Sequence, residues 1–431
     1  MPLKHSVEEV VLKNGARGLL ISVPDTTSVH YDIQFRAGNY YAKRREISQV
    51  AHILEHMSFG PNARFDSVES FSQEFTRNGA YSNASTDSDD LIYTAAAAIM
   101  EWERILELQQ LAITQPKYPQ ALLDTEKGNV REEILGYSND YARILWQQMM
   151  RQSGLKRWLD SEELLTIDTV TLADINEHYK RTHTLKNMHF IIAGDLQAHA
   201  AEIIDRLEQW QLPTGESLPM TKETVKAGGM VHLARKDLSN LSFTLLFSLN
   251  RTLNRRELRA MNVLTHILTD TFHSRIWGTA RARGICYGMG SWGSESSSGV
   301  SEFGLGGQVS FDNADELFRL MIEQLKIVST VGITEKELDE AKQYRLGVLQ
   351  MGLDTVSSLV SWYEDIYFDN GKIDHVDAFP ALIQGTTVTE IRDLAKEFLD
   401  AKLWVFGGVG NITKKALQKH YDLFAKELIE G

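Results

Sequence analysis

The stretch "VHYDIQFRAGNYYAKRREISQVAHILEHMSF" at residues 29–59 has a faint copy further along the chain, "LSFTLLFSLNRTLNRRELRAMNVLTHILTDTF" at 241–272. "THIL" at 265–268 falls where "AHIL" stands at 51–54. Later, "TVTLADINEHY" from Thr169 is echoed by "TVTEIRDLAKEF" from Thr387, and "FIIAGDL" by "VFGGVGNI". The offsets are 214 and 218 residues, so the register holds over a whole half of the 431-residue chain. A repeat of this length is a duplicated domain, not a short-period solenoid. The segment "WQLPTGESLPMTKETVKAGG" between the copies holds two of the eight prolines, with glycine and serine around them, and reads as a linker. The division expected is a first domain over 1–212, a linker over 213–228 and a second domain over 229–431.

Within each copy the hydrophobic period switches between two and 3.6. "EEVVLKNGARGLLISV" places two β-rich runs around Asn14-Gly15, a hairpin signal. "VHYDIQFRAGNYY" alternates, with Tyr31, Ile33 and Phe35 on one face. "EISQVAHILEHMSFG" then carries Val50, Ile53, Leu54 and Met57 at helical spacing, with Gly60 as a stop. "SVESFSQEFTRNG" reads as a helix capped by Ser67, "AYSNASTDSDDLIYTAAAA" as two strands around a polar turn, and "QALLDTEKGNVREEILGY" as a longer helix that tolerates Gly128. The fold class expected is α+β: two homologous domains, each an antiparallel-rich β-sheet flanked by α-helices.

One helical turn stands out against this frame. In "HILEH", His52 and His56 are four apart and share a helix face, with Glu55 on nearly the same side. Two imidazoles so placed can bind one Zn²⁺ at ~2.0–2.1 Å, and a carboxylate there can reach an attacking water. The competing reading is a pair of histidines at the core edge, satisfied by neighbours. The duplication provides a control. His52 has His266 as counterpart, but Glu55 faces Thr269 and His56 faces Asp270, while Ile267 and Leu268 keep the apolar frame. Packing of that frame therefore does not require Glu55 and His56.

Catalytic zinc usually takes three protein ligands plus water, so a third is needed. In "LLDTEKGNVREEIL", Glu126 and Glu133 lie seven apart on one stripe of a helix. Glu132 points ~100° away and reads as a solvated residue. Aligning "LLDTEK" with "ELDEAK" puts Ala341 opposite Glu126 and Val348 opposite Glu133, so these carboxylates too are missing only from the second copy.

The H-x-x-E-H order is the inverted zincin signature. Together with Glu133 and with Glu126 seven before it, this set resembles the pitrilysin/insulysin family, which includes processing-peptidase-like bacterial members. The likeness covers essentially the whole chain, degenerate second copy included. It implies a zinc metalloendopeptidase with His52, His56 and Glu133 as metal ligands, Glu55 as general base, and Glu126 as a carboxylate that orients a ligand or the base. It implies that an extended peptide substrate pairs with the edge strand containing Asn83, Ala84, Ser85 and Thr86. It also implies that an arginine and a tyrosine of the second half grip substrate. Tyr287 matches the tyrosine; the usual arginine position is Ala280, and Arg281 next to it is the expected substitute, with Arg283 the other candidate. Position 49, three before His52, is usually glycine in the family and is Gln49 here, for which a small effect on helix packing and no loss of metal are expected. Members of this length commonly form homodimers or heterodimers with a related subunit. Some act as noncatalytic scaffolds, the alternative function expected for this chain.

Composition excludes other classes. A formal net charge of −13 speaks against nucleic acid as partner, and Lys43-Arg44-Arg45 reads as a solvated loop. No stretch approaches the ~20 apolar residues of a membrane helix, and "MPLKHSVEEVVLKNG" has no apolar run after a basic start. The single Cys286 cannot form a disulfide within the chain, which fits a reducing compartment; a cytoplasmic location is expected. Gly288-x-Gly290-x-x-Gly293 mimics a dinucleotide fingerprint, but "SESSSG" follows instead of a helix, so a glycine-rich hairpin is expected.

Overall fold

A computed structural model describes residues 3–296 and 298–430 of the chain. Among the described residues, eleven strands form two sheets. The first contains β1 (Ser6–Val11), β2 (Arg17–Ser22), β3 (Ser28–Arg36), β4 (Tyr81–Thr86), β5 (Asp90–Ala98) and β6 (Met188–Gly194), in the order β1-β2-β6-β3-β5-β4. The second contains β7 (Gly229–Ala234), β8 (Asn240–Leu249), β9 (Gly288–Ser296), β10 (Val300–Ser310) and β11 (Trp404–Gly410), in the order β7-β11-β8-β10-β9.

The duplication is written into this topology. β2-β6 and β7-β11 are parallel pairs, and the remaining pairs of both sheets are antiparallel. Deleting β1 leaves the two strand orders the same. β1 pairs with β2 around Asn14-Gly15, as its sequence predicts; Gly15 sits at φ 98°, a left-handed conformation that favours glycine. β4 ends the first sheet and pairs only with β5. β9 begins at Gly288 and pairs with β10, so the glycine-rich stretch is a hairpin strand and not a phosphate-binding turn.

Two helices of the first half carry the polar residues singled out above. Helix α1 covers Val50–Ser58, and Ser67 caps α2, Val68–Thr76. After α3, Trp102–Thr114, comes α4, Gln120–Gly136. Val50, Ile53, Leu54 and Met57 of α1 are fully buried against Leu122, Leu123, Val130 and Ile134 of α4, with Ile175 of the helix Leu172–Thr182 in the same cluster. Gly60 lies beyond the end of α1. A Cβ there would come within 2.7 Å of the Leu122 side chain, so its small size lets the end of α1 approach α4. Gly128, in the middle of α4, faces open space.

The compact units do not coincide with contiguous halves. The first comprises Met1–Gly136, Asp160–Thr221 and Gln350–Asp374, and the second Tyr137–Leu159, Lys222–Leu349 and His375–Gly431. Each unit thus takes in a helical segment from the other half of the sequence. In the first, helix Val356–Asn370 covers β3 and β6: Ser357 Oγ lies 3.2 Å from His30 Nδ1, and Arg36 donates to the carbonyls of Phe368 and Asp369. In the second, α5 (Tyr141–Gln152) buries Leu145 and Met149 against β11, where a Cβ on Gly407 would collide with the Met149 sulfur. Among the described residues no helix is long and apolar enough to cross a membrane.

Candidate metal centre

α1 and α4 are held together by the apolar cluster just described, so the polar residues along their shared margin are brought face to face. His52 and His56, one turn apart on α1, place their ring centroids 4.9 Å apart. Glu133 of α4 meets both. Its Oε2 lies 3.3 Å from His52 Nε2 and 3.4 Å from His56 Nε2. About two turns toward the start of α4, buried Glu126 accepts a hydrogen bond from His56 Nδ1 at 3.1 Å and another from Asn129 at 2.9 Å. Glu132 points away into solvent, as helix geometry dictates.

The three donor atoms suit one zinc ion. The liganding atoms of His52, His56 and Glu133 all lie within 4.8 Å of one another. A tetrahedral centre with bonds of ~2.0–2.1 Å separates its ligand atoms by about 3.3–3.4 Å. Both histidine–carboxylate separations fall at that spacing, with nitrogen and oxygen donors of the kind zinc takes. Three such ligands would leave a fourth position open, as catalytic zinc sites do and structural ones do not.

Glu55 is half-buried on the same turn. Its charge acts on His56, and its carboxylate makes no hydrogen bond among the described residues. Burial disfavours a charged His56, but the hydrogen bond to Glu126 and the negative charges of Glu55, Glu126 and Glu133 outweigh it, so its pKa is raised. Burial pushes Glu126 up, and the hydrogen bonds from His56 and Asn129 more than reverse that.

These shifts set a pH dependence. A raised imidazole pKa stabilises the metal-free fold below the unfolded value, and that contribution is lost as pH rises through the folded one. Metal ligation runs the other way, because it needs the neutral ring. The apparent zinc affinity is therefore expected to fall as pH drops through the His56 titration, by up to about tenfold per unit for one displaced proton. The fall should set in above the ordinary imidazole value of 6.5. Chelator competition across pH reads this directly, and an onset below that value would contradict it.

The remaining expected residues lie elsewhere. Asn83, Ala84, Ser85 and Thr86 are on β4, the edge of the sheet, and α1 packs against this strand. Tyr287 and Arg281 belong to the second unit, where they associate with each other. The Arg281 guanidinium lies 4.3 Å from the Tyr287 ring centre and donates to the Tyr287 carbonyl at 3.0 Å. Ala280 is fully buried, so the helix turns its neighbour Arg281 outward, while Arg283 only approaches Glu316 at 3.9 Å. Cys286 is buried, and burial pushes its thiol up, away from a nucleophile's range.

Two contacts were not anticipated. Asn129 supports Glu126, and Gln49 reaches His52, with Oε1 3.0 Å from Nδ1. The Gln49 contact follows from its spacing, three residues before His52 and so on the same helix face.

Comparison with known proteins agrees with the fold. The family model described as Insulinase (Peptidase family M16) matches residues 17–161, and that described as Peptidase M16 inactive domain matches 169–344. A Bacillus subtilis (strain 168) protein, the uncharacterized zinc protease YmxG, is 23% identical over 418 residues, covering 94% of this chain and 99% of that one. Among solved structures, a peptidase M16 inactive domain from Pseudomonas fluorescens superposes with a TM-score of 0.81 at 19% identity, covering 95% of this chain and 99% of that one. The first half of the periplasmic protease PqqL from Escherichia coli does so with a TM-score of 0.79 at 17% identity, covering 99% and 98%. With both of its halves matched by models of one family, and a zinc protease aligned along nearly its full length, the chain belongs to peptidase family M16, the insulinase or pitrilysin family.

Proposed function

We propose that this chain is a zinc-dependent endopeptidase acting on peptides or unfolded segments. The observation that carries the reading is the convergence of His52, His56 and Glu133 at tetrahedral-edge spacing beside a carboxylate, Glu55, that no hydrogen bond engages among the described residues. His52, His56 and Glu133 would hold the ion. Zinc, when bound, supplies Lewis acidity toward a peptide carbonyl and brings the pKa of a water toward ~7. Glu55 takes the proton of the attacking water and returns it to the leaving amine. Glu126 holds His56 through Nδ1, keeping Nε2 directed at Glu133 and the metal position. The outer edge of β4 offers backbone donors and acceptors to an extended peptide of any sequence, and Ala84 and Ser85 are small enough to let that backbone come close. Arg281 and Tyr287, already in contact, are assigned to gripping substrate.

The second half serves as the noncatalytic partner domain. This is supported by the inactive-domain match over 169–344, and by Thr269, Asp270, Ala341 and Val348 at the positions of the site residues. Half of PqqL has the fold of this whole chain, so that relative joins two such lengths. Here the equivalent would be pairing with a second copy or a related subunit.

The test is digestion of a mixed peptide library, read by mass spectrometry, on protein whose zinc is quantified and whose native mass is recorded. Near-stoichiometric zinc, dimeric mass and discrete cleavage products are expected. Zinc without cleavage would replace the proposal with the noncatalytic scaffold reading, and a monomer that cleaves would remove the pairing.

A further inference from the structure

Both imidazoles of the site are held through Nδ1, but by different means. His56 has the Glu126 carboxylate, and His52 has the carboxamide of Gln49 at 3.0 Å. Gln49 sits at the N-terminal cap of α1 and is 1% exposed, so this side chain was placed inside the protein instead of left in water. Its Oε1 is an acceptor only. In the neutral ring the nitrogen it faces then carries the hydrogen, and the lone pair of His52 is on Nε2, the atom 3.3 Å from Glu133.

The second half shows the same helix without this contact. The residue three before His266 is Val263. There, among the described residues, Nδ1 of His266 has no hydrogen-bond partner, only an ion-pair approach from Asp270 Oδ2 at 3.5 Å, and the ring stacks on Tyr344 at 4.1 Å. The segment from His266 to Asp270 has also loosened into a π-helix. A histidine at this place in the fold thus has another rotamer environment available. Only the copy with a complete donor set places a carboxamide against its first histidine.

We propose that Gln49 is a positioning residue of the metal centre: it fixes the tautomer and rotation of His52 so that Nε2 is presented to the ion. The inference rests on the zinc reading above. A glycine at position 49 would leave Nδ1 to water and the ring to its own torsional preference. Partners of this kind typically contribute 10- to 100-fold to metal affinity (roughly, per partner).

The test uses the full chain with Gln49→Met, Gln49→Gly and Gln49→Glu. Zinc affinity is measured by competition with a chelating dye, the visible spectrum is recorded after Co²⁺ substitution, and the melting midpoint is taken without metal. Gln49→Met keeps the bulk and loses the acceptor. Its affinity is expected to fall about 10- to 100-fold with a changed Co²⁺ spectrum and a metal-free midpoint close to the wild type. Gln49→Glu restores an acceptor and should bind at least as tightly as the wild type. A purely structural role would make the methionine and glutamate variants alike. Should Gln49→Gly fail to fold, the other two variants still decide. Wild-type protein that binds zinc tightly, with Gln49→Met equally tight, overturns the role of Gln49 and leaves the zinc reading standing. Wild-type protein with no zinc affinity overturns both.

Discussion

Glu55→Gln is expected to keep wild-type zinc content while peptide cleavage drops by about 10²- to 10⁴-fold, the usual share of a positioned general base. The carboxylate is on the same turn as His52 and His56 but is not among the three converging ligand atoms. The substitution preserves shape and removes only the ability to take a proton. No hydrogen bond is lost among the described residues, so the fold has no reason to respond. One electrostatic side effect follows. The Glu55 charge helps to raise the pKa of His56, so removing it lowers that pKa. A variant that cleaves within tenfold of the wild type at equal zinc occupancy would mean that another group takes the proton.

The second large effect concerns the ligand farthest along the chain. Glu133→Ala should lower zinc affinity by roughly a hundredfold or more, since apparent zinc binding of about 10 kcal/mol spread over three protein ligands gives each several kcal/mol. Cleavage should fall with it. The adjacent Glu132→Ala is the control: its carboxylate faces solvent, so metal content after dialysis should match the wild type. Equal zinc retention by Glu133→Ala and Glu132→Ala would remove Glu133 from the site, and the proposed centre with it.

Much of the fold was legible because it rests on local chemistry. The periods of two and 3.6 mark β3 and α1, the Asn14-Gly15 turn marks the first hairpin, and Ser67 marks the start of α2. The turn from His52 to His56 was legible for the same reason: residues four apart on any helix share a face. Tyr31, Ile33 and Phe35 of β3 are fully buried, as the alternation predicts. The opposite face of that strand, His30, Asp32, Gln34 and Arg36, reads as solvent-facing but is covered by helix Val356–Asn370, from over three hundred residues away. The exchange of helical segments between the two units escaped the sequence too, since a clean linker at residues 213–228 suggests contiguous halves.

By itself, then, the amino-acid sequence determined the duplicated architecture, the helices and strands of each copy, and the residue types at the candidate metal centre. These follow from backbone geometry and residue chemistry, which act over a few positions. Tertiary structure alone decided that Glu133 meets His52 and His56, that Gln49 engages His52, and which segment completes each unit. Such pairings are selected by the burial of surfaces whose owners are remote in the chain, and that free energy belongs to the whole packed unit and to no local stretch.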